Sequence, residues 1–246
     1  MLIALLLACP PATNDTSADD SGGTTDVVDP VCSEPTEVAC VDEIISDFSL
    51  HDDKTSKGDV GNTESGGVFS STVDASAGGS SASSKNAWTY ARFTADGLEK
   101  VEIDDETALD DMSWHIAARR YIVRLNSGAS GPSCVGATEV SGGFDEVMTA
   151  KDEFGLEDFY NADCELKEDN SGLPGSPAVQ LGAWWKYTSC VETTGQVFQL
   201  QLDDGQVLKF TIDAYYAGAG QAECNDAGST SEESAIYTWR WAFLGG

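Results

Sequence analysis

Positive charge is scarce in this chain. Lys and Arg number 13 against 42 Asp and Glu, for a formal net charge of −29. A field of that sign repels phosphate backbones and anionic headgroups, which excludes nucleic acid as a partner and leaves no basic face for a membrane surface. Histidine is scarcer still: His51 and His115 are the whole supply of neutral-pH bases. The catalytic motifs that can be sought by spacing are missing. There is no Gly-x-Ser-x-Gly elbow and no His-Glu-x-x-His pair, and the Gly-rich stretch 127–136 carries no Lys to hold a phosphate. Paired carboxylates abound, but an acidic composition produces them without any glycosidase chemistry. No Cys-x-x-Cys occurs, which argues against a zinc knuckle or a thioredoxin-type site. The expectation is a protein that is not an enzyme and holds no metal through its own side chains. The acidic stretch 104–111 leaves a calcium-stabilised surface module as a distant alternative, although its spacing does not match an EF-hand loop.

Cysteine, by contrast, is plentiful, at seven. The run Leu6-Leu7-Ala8-Cys9 reads as a lipobox, an apolar residue and a small one ahead of the Cys to be acylated. It lacks a basic segment before it, so residues 1–8 read as the remnant of a truncated signal peptide. Pro10 rather than Asp follows Cys9, which suits sorting to an outer membrane. Residues 9–31 are rich in Asp, Ser, Thr and Gly and read as a lipid anchor with a flexible acidic tether, the only attachment to a membrane. Cys32, Cys40, Cys134, Cys164, Cys190 and Cys224 remain, an even set that suits three disulfides in an oxidising compartment. Proximity along the chain favours Cys32–Cys40, Cys134–Cys164 and Cys190–Cys224.

Residues 32–246 read as one β domain with an N-terminal extension over 32–67. Period-two alternation marks strands at 88–93, 98–103, 197–202, 206–216 and 236–244. Asp203-Asp204-Gly205 between two of them is a strong hairpin signal. The second arm places Leu208, Phe210, Ile212, Ala214 and Tyr216 on one face, and the last strand places Tyr237, Trp239, Trp241 and Phe243 on one core stripe. Short helices fit only 40–48 and 153–160. The fold expected is all-β, a mostly antiparallel sandwich or meander.

The stretch 113–132, SWHIAARRYIVRLNSGASGP, begins as an aromatic-led strand with two adjacent arginines and ends in a Gly/Ser loop. It resembles the signature of the HmuY family of bacterial haem-binding surface lipoproteins. Trp114, Ile116, Ala117, Arg119, Arg120, Asn126, Gly128, Ser130 and Gly131 fit, while His115 stands where the family usually has Asp and Ala118 where it has an aromatic. With residues 72–77, 88–90, 197–216 and 236–244, the resemblance extends over 68–244.

That resemblance implies a non-catalytic protein that binds haem through axial side chains at one end of the β-structure, partnered by an outer-membrane TonB-dependent receptor. The ligand set it suggests is His115 with Met148 or Met112. His115 is otherwise a strand histidine hydrogen-bonded in place, and Met148 otherwise a packing residue. Arg119 and Arg120 point to opposite strand faces, for a structural salt bridge or a haem propionate. Two functions follow: a surface lipoprotein binding haem or a related small ligand, or a structural or adhesive surface lipoprotein that keeps the fold and has lost haem binding.

Overall fold

The structure is a computed structural model that describes residues 31–76 and 85–245. In chain order the first elements are α1 (Val41–Asp47), β1 (Val60–Ser65), β2 (Val68–Asp74), β3 (Thr89–Thr94), β4 (Gly97–Val101), β5 (Ile116–Arg119), β6 (Ile122–Leu125) and β7 (Gly136–Val140). Then come β8 (Trp185–Tyr187), β9 (Val191–Thr193), β10 (Val197–Gln201), β11 (Val207–Tyr216), α2 (Gly220–Ala227) and β12 (Ser234–Phe243). Six strands form one sheet in the order β1-β2-β12-β11-β10-β7, four form a second in the order β4-β3-β5-β6, and β8 pairs with β9. The strand pairings are antiparallel throughout.

The sheets face each other across an aromatic core. β12 turns Tyr237, Trp239 and Trp241 inward, fully buried, and leaves Ile236, Thr238 and Arg240 half-buried on its other side. Opposite them come Phe93, Ile116, Ala118, Val123 and Leu125 of the smaller sheet. Asn62 ties the two sheets along one edge: its side chain donates to Leu98 O and accepts from Leu98 N, both at 2.9 Å. That pairing occupies polar groups on the outer strands β1 and β4, which would otherwise offer an open edge.

The smaller sheet is covered on both faces. Its second face, with Trp88, Tyr90, Ala117 and Ile122, packs against Ile44 and Phe48 from α1 and its end, and against Phe159 and Tyr160. Hence β5 is buried at every residue instead of alternating. The molecule is three layers deep, with the four-stranded sheet in the middle.

Three expectations need correction. Residues 153–160 are not helical; they run extended, joined by bridges Ala137↔Gly155 and Tyr160↔Leu166, because Phe159 and Tyr160 are drawn into the second core. β11 does not hold one phase: irregularities after Ile212 and Ala214 shift the register, so Tyr215 is buried and Tyr216 only half-buried. Two of the three disulfide pairings favoured by proximity give way to Cys32–Cys134 and Cys40–Cys164, while Cys190–Cys224 is present. The reason is that the N-terminal extension does not close on itself. It runs along the domain, with Thr36 donating from its backbone N–H and its hydroxyl to Pro132 O, which carries each cysteine to a distant partner. α2, which begins at a glycine and has no apolar stripe, was not expected; Cys224 pins it to Cys190. Cys9 and the lipid-anchor and tether reading of residues 9–31 lie outside the described residues, Val31 excepted.

Candidate functional site

Segment 113–132 is a hairpin and a buried loop. Arg119 ends β5, and Arg120 occupies the turn with φ of 54°. Arg119 makes no ion pair among the described residues. Its guanidinium lies 4.7 Å from the centre of the Trp88 ring and donates to the carbonyls of Ser49 and Asn86. Arg120 is half-buried over Tyr121. Neither arginine lines a cavity with a methionine or histidine. The salt bridge expected of one of them is replaced by aromatic and carbonyl contacts.

The buried cation is instead Arg124. Its guanidinium is fully enclosed, 4.6 Å from the Trp88 ring centre, 5.4 Å from that of Tyr90 and 5.0 Å from that of Trp114. It donates to Ser130 O at 2.6 Å, to Ser130 Oγ at 3.0 Å and to Tyr90 Oη at 2.7 Å. Two buried carboxylates accompany it. Asp105 accepts from the backbone N–H of Trp88 and of His51. Glu157 accepts from Leu125 N through Oε1 and from Gln180 N through Oε2, both at 2.9 Å. Burial raises Asp105 above the usual carboxylate range and pushes Glu157 up to about 7, while the backbone donors and Arg124 oppose it.

The Gly/Ser loop closes this assembly. Gly128 has φ of 52°, and a Cβ there would stand 2.1 Å from Glu157 O; a Cβ on Gly131 would stand 2.2 Å from Asn126 Oδ1. Asn126 donates to the carbonyls of Asp111 and Trp114 and accepts from Ser133 N. The segment is thus a piece of core architecture. Neither Arg124 nor Glu157 carries a local signal in the sequence, since one is a strand arginine and the other one carboxylate among many.

His115 lies at the edge of this unit and is 5% exposed. Its Nδ1 accepts from the backbone N–H of Phe93 at 3.0 Å, so that nitrogen carries no proton. The proton is on Nε2, 3.2 Å from Asp203 Oδ1. The hydrogen bond from His115 holds the Asp203 carboxyl below its usual range, against partial burial. Asp203 also accepts at its backbone carbonyl from Val31 N–H at 2.8 Å, where the described chain begins.

A cavity of about 550 Å³ opens here, with Arg92, Met112, His115, Asp203, Asp204 and Gln206 in its walls. The structure therefore brings Met112 and His115 together. It does not bring Met148 to them: that residue is 73% exposed beside a separate depression of about 330 Å³ with Lys151 and Gln199. His51 has its Nε2 2.8 Å from Lys85 O and lines neither cavity.

Haem iron needs donors with open lone pairs. His115 has none to give, because one ring nitrogen already accepts a hydrogen bond and the other is a donor to a carboxylate. Met112, half-buried in the cavity wall, is the soft donor left there. A haem ligated by His115 with Met148 or Met112 does not fit this arrangement. One further group of potential metal ligands stands among the described residues, Cys40, Glu43 and Cys164, but its two sulfurs are joined in a disulfide. No helix among the described residues is long and apolar enough to cross a membrane.

No protein-family model matches the chain, and no curated protein matches it. Solved structures do. A protein from Bacteroides vulgatus ATCC 8482 described as HmuY-like and heme binding aligns over 75% of this chain and 97% of its own, at 16% identity and a TM-score of 0.47. A lipoprotein from Bacteroides fragilis NCTC 9343 aligns over 75% and 96%, at 14% identity and a TM-score of 0.46. The apo HmuY analog of Tannerella forsythia aligns over 76% and 98%, at 14% identity and 0.42.

Proposed function

We propose that this is an exported, non-catalytic surface lipoprotein, structural or adhesive, that keeps a HmuY-like β domain and has lost the histidine-ligated haem site. The observation that carries this reading is the double engagement of His115 by Phe93 N–H and Asp203. The three disulfides fit export, and Cys9 would carry the lipid ahead of the acidic tether. The two buried carboxyls with raised values, Asp105 and Glu157, accept from backbone N–H groups and do not line the His115 cavity, which suits a protein without catalysis. In an outer membrane, the lipid would be the whole of its attachment.

A second reading is favoured by the cavity itself. About 550 Å³ with Met112 and the exposed Arg92 in its walls gives room for a haem or a related small ligand, with an outer-membrane TonB-dependent receptor as the partner that the family resemblance implies. Hemin titration of the oxidised protein separates the two. We expect no Soret band that depends on His115, with wild type and His115→Gln responding alike. A Soret band in wild type that His115→Gln abolishes, with the melting temperature kept, overturns the first reading. One that Met112→Leu alone abolishes establishes the second.

A further inference from the structure

On the far side of the turn between β3 and β4 lies a third cavity, of about 530 Å³, in which Glu64, Gly67, Phe69, Ala95, Asp96 and Phe243 form the walls. Ala95 is shared with the His115 cavity, so the two lie back to back across that turn. The floor is aromatic and stiff. Phe69 stacks on the fully buried Trp241 with ring centres 4.3 Å apart and planes 14° apart, and Phe243 meets Trp241 edge-on at 5.6 Å and 87°.

The rim is anionic, with no Lys, Arg or His in the walls. Glu64 accepts from Gly67 N–H at 2.6 Å through Oε1. The Asp96 carboxylate has no hydrogen-bond or ion-pair partner among the described residues; only its backbone N–H is engaged, by Thr94 Oγ1. Aromatic faces present negative quadrupole potential, and carboxylates at the rim add to it. The complement is a positively charged group on an apolar body. A neutral apolar ligand would use the floor alone, and an anion would meet two carboxylates and a chain of net charge −29.

We infer that this cavity binds an organic cation, an ammonium group carried on an aromatic or alkyl body, with Phe69 and Phe243 as the platform and Asp96 and Glu64 as counter-charges. The inference does not depend on what the His115 cavity binds. The probe is benzyltrimethylammonium, titrated into the full oxidised chain and followed by amide chemical shifts, with benzyl alcohol as the neutral comparison. Saturable shifts are expected at Phe69, Ala95, Asp96 and Phe243, with a dissociation constant on the order of 1 mM for so small a ligand. Benzyl alcohol should bind at least about fivefold more weakly, and Asp96→Asn should weaken the cation about fivefold, the size of one partly exposed charge contact. Arg92→Ala, in the other cavity, should leave it unchanged. Equal binding of benzyl alcohol overturns the inference, since the cavity is then merely apolar. Shifts that never saturate, or that spread over the acidic surface, overturn it as well. Asp96 stands in an exposed turn; if its variant fails to fold, the comparison of the two ligands on wild type decides alone.

Discussion

The two faces of the four-stranded sheet are built on different principles. Toward the six-stranded sheet it presents Ala91, Phe93, Ile116, Ala118, Val123 and Leu125 to an aromatic and aliphatic core. Away from it lie Trp88, Tyr90, Trp114 and Ala117, joined by two buried arginines and two buried carboxylates. The first face asks of its residues only shape and apolarity, and volume-conserving exchanges there are cheap. The second asks for particular partners. Each of its charges is tolerable only while the others stand, because an uncompensated buried charge costs far more than a lost hydrophobic contact.

The sharpest way to break this comparison is to remove its cation. Arg124→Met keeps burial but strips Ser130 and Tyr90 of a donor, leaves Glu157 without a neighbouring positive charge and leaves Asp105 with Arg119 alone. We expect a loss of about 3–5 kcal/mol in urea unfolding, against about 1 kcal/mol for Phe210→Leu in the apolar core. Equal losses would mean that the two faces obey one rule.

Glu157 offers a finer test. Burial, set against its two backbone donors, raises its folded pKa to about 7 from an ordinary 4.5. The folded state thus holds a proton that the unfolded chain has released, so this group's contribution is fully present below about pH 4.5 and is lost as pH rises toward 7. The span corresponds to a pH-dependent term on the order of 3 kcal/mol. Urea midpoints from pH 4.5 to 8 should fall more steeply for wild type than for Glu157→Gln. Parallel slopes would show that its pKa does not change on folding.

The smallest effect concerns the seam between the sheets. Asp203→Ala removes the carboxylate that receives the His115 proton and should cost about 1–2 kcal/mol. Nδ1 still accepts from Phe93 N–H in that variant, so Nε2 keeps its proton and the hemin response should stay as in wild type; a fresh response in this variant alone would identify the Asp203 contact as what withholds the imidazole.

What the sequence disclosed follows the same division. β12 and the first half of β11 are readable because one face of their sheet lies in the aromatic core and imposes a period of two on the apolar residues, and Tyr237, Trp239, Trp241, Leu208, Phe210 and Ile212 keep it. Reading fails at the bulge after Ile212, which no residue type announces. It fails for α2, which is held by a disulfide and by Gln221 bridging Tyr215 N and Val191 O rather than by an apolar stripe. The family-like stretch 113–132 draws attention to residues whose packing role the sequence does not announce. Trp114 lies against Arg124, Asn126 and Gly131 pack the loop onto Trp114, and Gly128 admits Glu157 O, an arrangement visible only once Glu157 and Trp88 arrive from elsewhere in the chain. His115 draws notice as one of two histidines, but its state is set by Phe93 and Asp203, which only the folded chain brings near.

The Cys32–Cys134 bridge has a mechanical consequence. Val31 is where the described chain meets whatever precedes it, and the next residue is bonded covalently to Cys134, 102 positions along. Tension applied to the N-terminus passes through sulfur directly into the strand β7 that follows Cys134. The residues between the two cysteines, including the whole four-stranded sheet, are out of the load path. Drag on a protein held by that end would therefore be carried by one bond and the strands after Cys134, β7 and β10 to β12 of the larger sheet, while Arg124 and Asp105, inside the bypassed loop, would sit slack behind it.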